Sequence, residues 1–453
     1  MSERSNWSGQ PWMWITTNDL ETERLQAVAE GRDWAALADE YDELVASDLN
    51  DPAAQARAEA WFDRVQATAR DPRAVAAEPS DWAAIAAARP VAESVPAWRG
   101  GEDELHERLL GAWLGRCSGC LVGKPVEGRR SHHIRQYLEA QGRWPLRGYF
   151  SREADEDLAR ECNFNLGWRG VYLEDIHGMV EDDDTNYTVL ALDIVDRHGA
   201  DFGPHDIATA WLRTLPLYHV CTAERIAYRN LAAGLAPPAS ASFRNPYREW
   251  IGAQIRADFY GYVNPAQPAR AAEWAWRDAA VSHIANGLYG AMWVAAMHAA
   301  AFVLAEPAAI IAAGLAQVPA ASRLTQRVRG ILDLYAGGAS WEDAIASTTA
   351  EWDEGRGYDW CHTISNAELV AAALLWGELD PLRSIGYAVM PGFDTDCNGA
   401  TVGSIVGLRL GAQAWPAELT DPLADRLETG VHGYHQVAIS DLAQRSVALA
   451  NRL

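Results

Sequence analysis

The sequence predicts an all-α fold, because apolar residues recur at helical spacing and alternating, strand-like patterns are scarce. Between residues 187 and 195 the apolar positions follow i, i+3, i+4, i+7 and i+8, and a His-Gly pair at 198–199 is a typical stop signal. Long alanine-rich apolar segments indicate further, buried helices. These segments are residues 279–304, 365–377 and 399–415.

The first hundred residues differ from the rest of the chain. Residues 33–37 and 81–85 each place an Asp before a Trp-led helical pattern, as expected for a capped helix start. Residues 89–101 hold two prolines and a Gly-Gly pair, which are typical of a linker. We therefore predict an N-terminal helical extension at 1–100 and a main domain at 101–453. The extension either covers part of the main domain or builds an oligomer.

Aromatic residues raise alternatives that the sequence leaves open. Trp7, Trp12 and Trp14 lie near the start of the chain and either pack across a cleft or lie on the surface, and the sequence favours the surface. Tyr358 and Trp360 either stack on a base or belong to the core, which is the commoner place for such side chains.

Composition limits the classes of function. The 453 residues are 49% hydrophobic and 22% charged, which is ordinary for a globular protein. A net charge of −24 argues against direct binding to nucleic acid or to an anionic membrane. Six cysteines are too few for a disulfide framework, and we expect Cys117 and Cys120 to be packing residues. With no signal segment evident, a cytoplasmic location is expected, and the oligomeric state stays open.

Two acidic clusters, residues 181–186 and 392–399, are the strongest functional signal. Each is followed directly by an apolar helical pattern. Acidic residues commonly cap helices, and that is the alternative interpretation of the first cluster. Carboxylates crowded this closely repel one another unless a cation neutralises them. Their hard oxygen donors suit Mg²⁺, Mn²⁺ or Ca²⁺, so two distant clusters suggest one metal site closed by the fold.

Glycines recur at every fourth position in two predicted helices and form a straight stripe on each. Glycine costs a helix roughly 1 kcal/mol relative to alanine, so close packing must offset the loss. We predict that the two stripes pack together. An antiparallel arrangement would bring Glu127 near Asp394. The stripes are Gly111, Gly115, Gly119 and Gly123, and Gly399, Gly403, Gly407 and Gly411.

Four motifs together resemble those of the ADP-ribosylglycohydrolases, which include dinitrogenase reductase-activating glycohydrolases and ADP-ribosyl-acceptor hydrolases. Residues 119–127 are similar to the end of the family's first helix, and residues 182–184 to its Thr-Asp-Asp motif. Residues 394–397 are similar to its Asp-Thr-Asp-Thr motif, and 282–283 to its Ser/Thr-His pair. The motifs stand in the family's order, and the resemblance covers about residues 101–415.

The sequence also departs from the family pattern. Cys120 replaces an Asp, Asp182 replaces a metal-binding Thr, and Cys397 replaces the last Thr ligand. Residues 245–258 do not resemble the family's substrate loop. The resemblance therefore implies a divergent member with most of the metal centre retained and an open choice of leaving group.

The resemblance implies an ADP-ribosylglycohydrolase-like, mainly helical domain that hydrolyses a bond at the anomeric carbon of a ribosyl or ADP-ribosyl group. One or two Mg²⁺ or Mn²⁺ ions would bind the ribose, and the substrate would be a small molecule or a modified protein. The implied catalytic residues are Glu127, for proton transfer or water activation, and Asp394. The implied metal ligands are Asp182, Asp183, Asp184, Asp394, Asp396 and Cys397. The implied substrate-binding residues are Ser282, His283, Asn286, His362 and Asn366.

Three other classes remain. A nucleosidase-type hydrolase of a small N-riboside would explain the altered residues 245–258. A non-catalytic ADP-ribose or nucleotide binder would explain Cys120 and Cys397, since both replace expected family residues. A calcium-stabilised helical protein agrees least with the sequence, because its acids would lie in one contiguous loop.

Overall fold

A computed structural model describes residues 11–91 and 94–453, so Trp7 lies outside the described residues. The all-α prediction is confirmed, because the described chain is helical apart from one pair of short antiparallel strands. These strands are β1 (Arg426–Glu428) and β2 (Gln436–Ala438), with Leu427 opposite Val437. None of the described helices is both long and apolar enough to cross a membrane.

The described part of the extension has five α-helices, and the first three pack around a small core of their own, in which Leu20, Trp61 and Phe62 are buried. Asp81 caps the fifth helix by accepting a hydrogen bond from the amide of Ala84. Ile85, in that last helix, packs into the core of the main domain. The helices are α1 (Thr17–Ala29), α2 (Ala38–Val45), α3 (Pro52–Ala67), α4 (Pro72–Ala77) and α5 (Trp82–Ala88).

The main domain packs its helices around α15, which is buried along its whole length. The helix predicted at 399–415 ends earlier, because Gly411 adopts a φ of 88° that an α-helix cannot continue. The helices from the linker to the middle of the domain are α6 (Glu102–Gly123), α7 (Ser131–Ala140), α8 (Glu156–Glu161), α9 (Asp183–His198), α10 (Pro204–Thr214), α11 (Thr222–Ala232), α12 (Ala239–Ser242), α13 (Asp258–Tyr262) and α14 (Pro268–Ala279). The remaining helices are α15 (Ala285–Ala301), α16 (Pro307–Leu315), α17 (Arg323–Ala336), α18 (Trp341–Glu351), α19 (Thr363–Gly377), α20 (Pro381–Val389), α21 (Thr395–Leu410), α22 (Ala417–Thr420) and α23 (Ile439–Arg452).

Helices α6 and α21 pack antiparallel along their glycine stripes, which confirms the predicted contact. A Cβ atom added at any of these ladder glycines except Gly411 would meet the backbone of the opposite helix at less than 3.0 Å, whereas at Gly411 it would meet the side chain of Glu107. No side chain fits between the helices there, so their backbones set the separation. The facing pairs are Gly111 with Gly407, Gly115 with Gly403, Gly119 with Gly399, and Gly123 with Thr395.

We expect Gly115→Ala to destabilise the protein by about 1–3 kcal/mol or more, because the added methyl group overpacks a backbone contact. Gly330 is a matched control, since it also lies within a helix but a Cβ there meets nothing within 4 Å. Gly330→Ala should be neutral or slightly stabilising. Chemical denaturation measures both variants. Equal stability of the two would show that the α6–α21 contact is looser than described.

Buried ion pairs join the extension to the main domain. The guanidinium of Arg248 bonds Glu30 at 2.6 Å and Glu23 at 2.5 Å, and all three side chains are almost fully buried. Beside them, the Gln26 amide donates to Glu249 at 2.6 Å. Breaking a buried pair on one side leaves an uncompensated charge, at a cost of roughly 3–5 kcal/mol. The extension therefore covers the main domain, which was one of the two predicted roles.

We expect Glu30→Gln to lower the free energy of unfolding at pH 7 by on the order of 3 kcal/mol. Burial alone would raise the pKa of Glu30, but Arg248, with Arg32 and Arg70, outweighs it and lowers the pKa to about 2. The carboxylate therefore stabilises the fold above its ordinary pKa of 4.5, and this contribution disappears as the pH falls toward 2.

The difference in stability between the wild type and Glu30→Gln should accordingly shrink as the pH falls from 4.5 toward 2. Denaturant titrations at several pH values measure it. Glu21→Gln, an exposed substitution on the same helix, is the control and should change little. A difference that stays constant with pH would contradict this assignment.

Candidate metal centre

Three helix ends meet at one point and bring the two acidic clusters together. Asp182 is the N-cap of α9, where its carboxylate accepts a hydrogen bond from the amide of Asp184 at 2.8 Å. Asp394 directly precedes α21. The Thr395 hydroxyl donates to the carbonyl of Gly123 at 2.8 Å and so ties the start of α21 to the end of α6. The glycine contact thus fixes where the clusters lie.

The acidic centre consists of Asp182, Asp184, Asp394 and Asp396 with the thiols of Cys120 and Cys397. Ligand atoms of Cys120, Asp182, Asp184 and Asp396 lie within 4.8 Å of one another. Those of Asp394, Asp396 and Cys397 form a second such group, and Asp396 belongs to both. Asp183 lies outside these groups, half-buried on the first turn of α9. The structure thus brings the distant clusters into a single centre.

Two carboxylate oxygens of the centre are buried without a hydrogen-bond partner among the described residues. They are Oδ1 of Asp394 and Oδ1 of Asp396, and both side chains are nearly inaccessible to solvent. A buried, unpaired carboxylate oxygen is costly unless a proton or a cation neutralises it. The donor set is mainly hard oxygen, so these residues fit a divalent cation.

Two basic side chains offset part of the negative charge. Lys124 forms an ion pair with Asp182, one turn beyond Cys120. Arg116 lies fully buried behind the centre, 3.3 Å from Asp184 and 2.7 Å from Asp258. Among the described residues, neither Asp394 nor Asp396 forms an ion pair with a basic side chain.

The crowding of carboxylates raises their pKa values. Burial, followed by the charge of Asp182, raises the pKa of Asp183 to about 8 and that of Asp396 to about 6. Glu127 is an exposed residue at the rim. The charge of the Asp396 carboxylate, followed by desolvation, holds the pKa of Glu127 well above its ordinary range. The raised pKa values indicate that the negative charge of these groups is incompletely compensated, and a bound cation would relieve it.

Three buried thiols border the centre. The Cys120 sulfur lies 3.6 Å from Oδ2 of Asp184, and the Cys361 sulfur lies 3.3 Å from Oδ2 of Asp394. Burial raises the pKa of Cys397, so its thiol is protonated and a weak ligand for a hard cation. Cys397 is near the carboxylates, as predicted from the motif, and Cys120 does more than the predicted packing.

Three predicted substrate-binding residues lie in a buried polar network and not at the centre. The Ser282 hydroxyl contacts Nδ1 of His283 at 2.8 Å and accepts from the Arg256 guanidinium at 2.9 Å. The Asn286 amide donates to Glu249 at 2.8 Å. These contacts engage most of the polar atoms internally and anchor the loop before α15, while Nε2 of His283 is buried without a partner among the described residues.

The other two predicted substrate-binding residues lie at the start of α19, and one of them, Asn366, contacts the start of α21. His362 is the N-cap of α19, and its buried ring stacks on Trp352 with centroids 4.9 Å apart. The Asn366 side-chain oxygen accepts from the amide of Asp394 at 3.2 Å and from Asn398 at 2.8 Å. Asn366 therefore positions the second acidic motif from behind.

The unusual residues 245–258 are a buried platform. Arg256 bonds Asp278 at 2.5 Å and also pairs with Glu224, while Arg248 pairs with the extension. This segment differs from the expected substrate loop for a physical reason. Its arginines, Arg248 and Arg256, form ion pairs with acidic residues elsewhere in the fold.

Sequence reasoning missed several residues that border the centre. Arg116 precedes Cys120 by one helical turn and Lys124 follows it by one turn, so the three side chains lie on one face. This spacing was the sequence signal that could have identified the two basic residues. Cys361 stands next to His362, but nothing in its position indicates contact with Asp394. A pocket of about 310 Å³ was also missed, because its wall combines distant segments. This aromatic pocket is lined in part by Trp12, Thr16, Asn18, Arg225, Trp250 and Trp360.

An all-α domain with a buried acidic centre at the meeting point of two helix starts defines a class of helical hydrolases. A family model described as ADP-ribosylglycohydrolase matches residues 101–452, and the chain belongs to this family. It is therefore a glycosidic-bond hydrolase. A solved structure described as an ADP-ribosylglycohydrolase-related protein complex shares 20% sequence identity with it, covers 77% of this chain and 99% of its own, and has a TM-score of 0.45. No curated protein matches.

We expect Asp396→Asn to weaken Mn²⁺ binding by roughly 100-fold or more, since loss of even an outer-shell partner typically costs 10–100-fold. Titration calorimetry measures the affinity. In the wild type Mn²⁺ should also raise the melting temperature, and a chelator should reverse the rise. Asp441→Asn, an exposed acid in the first turn of α23, is the control. Unchanged Mn²⁺ binding in Asp396→Asn would contradict the assignment of these residues as a metal centre.

Proposed function

We propose that this protein is a metal-dependent hydrolase that cleaves the bond between the anomeric carbon of a ribosyl group and its leaving group. The observation that carries the proposal is the pair of buried, unpartnered oxygens of Asp394 and Asp396, with Glu127 beside them at the rim. The family acts on ADP-ribosylated substrates, and this supports a ribosyl group as the reacting part.

Asp182, Asp184, Asp394 and Asp396 would hold one or two Mg²⁺ or Mn²⁺ ions, with Asp183 at the edge. When bound, such an ion supplies Lewis acidity and a template for the sugar hydroxyls. The carboxylates themselves surround the sugar with negative charge, which stabilises an oxocarbenium-like transition state. Asp394 is held at its backbone amide by Asn366, so its carboxylate enters the reaction already oriented.

Glu127 is the proposed acid–base residue. Glu127 is an exposed residue, whereas Asp394 and Asp396 are buried, so it is the most open of these acids to an entering substrate. The neighbouring Asp396 charge raises the pKa of Glu127, which favours proton exchange near neutral pH. In the reaction, the carboxylate form of Glu127 would take a proton from the attacking water as the oxygen bonds to the anomeric carbon. The bonding electron pair would depart with the leaving group, which would then receive a proton from Glu127 or from solvent.

We expect Glu127→Gln to slow turnover of a ribosyl substrate by roughly 10²–10⁴-fold, because the amide keeps the shape and loses the proton-transfer group. Binding of ADP-ribose should change little. Release of free ribose or ADP-ribose, followed chromatographically, gives the rate. Glu139→Gln, an exposed change in α7, serves as the control. Full activity of Glu127→Gln would leave Glu127 without a chemical role. Tight binding without turnover in the wild type would favour a binding protein instead.

A further inference from the structure

We propose that the N-terminal extension completes the substrate site, and that the aromatic pocket holds a planar, neutral heteroaromatic leaving group of a small riboside. This inference rests on the proposed hydrolysis and names its substrate class. The pocket's volume of about 310 Å³ is the size of a small-molecule site and suits one ring system.

The pocket adjoins the acidic centre on two sides. On one wall, Trp360 directly precedes Cys361, whose sulfur lies 3.3 Å from the Asp394 carboxylate. On another wall, Tyr247 and Trp250 belong to the same buried apolar cluster as Cys361 and Cys397. A ring bonded directly to the anomeric carbon reaches this space. The adenine of ADP-ribose is separated from that carbon by a pyrophosphate and a second ribose, so it fits the position less well.

The chemistry of the walls favours a neutral aromatic group. The rings of Trp250 and Trp360 meet at 76° with centroids 6.3 Å apart and present apolar surface. Arg225 is the one cation among the described lining residues, and its charge is matched by Asp19 at 2.5 Å. Its guanidinium also lies over the Trp12 ring. A pyrophosphate finds no unpaired cation in this wall, and a guanidinium leaving group would meet Arg225.

The extension's part of the pocket is held in place by specific contacts. The Trp12 indole donates to the carbonyl of Val220 at 3.2 Å, across the loop before α11. The Asn18 amide donates to the Tyr247 hydroxyl at 3.1 Å, and that hydroxyl donates to Asp19 at 2.5 Å. Trp12 and Asn18 lie outside the family match, so this chain supplies them in addition to the family's residues. Trp12 is 37% exposed, as the sequence favoured, and it also lines the pocket, which was the other predicted role.

Calorimetric titration of the full-length, Mn²⁺-loaded protein tests the proposal. The probes are adenosine and uridine, which carry a neutral ring, methyl β-ribofuranoside, which carries none, and ADP-ribose. Trp12→Ala should weaken binding of the two ring-bearing ribosides by roughly tenfold, as expected for loss of one stacking surface, and Trp12→Phe should restore most of it. Asn18→Ala should also weaken them. The ring-free riboside should bind all variants alike.

Val28→Ala is the control, since Val28 is exposed on the same helix as Asn18. The proposal is overturned if neither ring-bearing riboside binds the wild type, or if Trp12→Ala leaves the affinity for every ligand unchanged. It is also overturned if Trp12→Ala weakens binding of the ring-free riboside equally, or if only the binding of ADP-ribose depends on Trp12. Trp12-dependent binding without cleavage would support the pocket while defeating the proposed hydrolysis, so the two failures are distinguishable.

Discussion

The contact between α6 and α21 is the constraint on which the rest of the structure depends. Because the glycines remove every side chain from the contact, the two backbones touch directly and leave little freedom in their separation or register. One end of this contact carries the first turn of α21, with Asp396, against the end of α6. The acids are therefore placed by the main chain.

As a consequence, the acidic centre carries more negative charge than the neighbouring basic side chains neutralise. Lys124 and Arg116 match Asp182 and Asp184, while Asp394 and Asp396 keep unpartnered oxygens. Burying carboxylates in this way costs stability, and a protein retains such a cost where binding or chemistry uses it. The packing around the centre stabilises the fold and offsets the cost of burying these carboxylates.

The features predicted well from the sequence are those set by local spacing. Helix α9, the glycine stripes and the approach of Asp394 to the first acidic cluster all follow from periodicity or from a motif. The features that escaped prediction depend on partners far away in the sequence. Ser282 and Asn286 look like ligand-binding residues in a single sequence, because the arginine and the glutamate that bond them are brought there only by the fold.

The ion pairs beneath the extension also impose an order on assembly. Glu30 and Glu23 precede Arg248 by 218 and 225 residues, so α1 leaves the ribosome long before its partner is made. Until then, burying Glu23 would leave it without an ion-pair partner among the described residues, although Glu30 retains Arg32 at 2.7 Å. Docking of α1 therefore awaits Arg248, and the wall that α1 contributes to the aromatic pocket forms only after this part of the main domain has been synthesised.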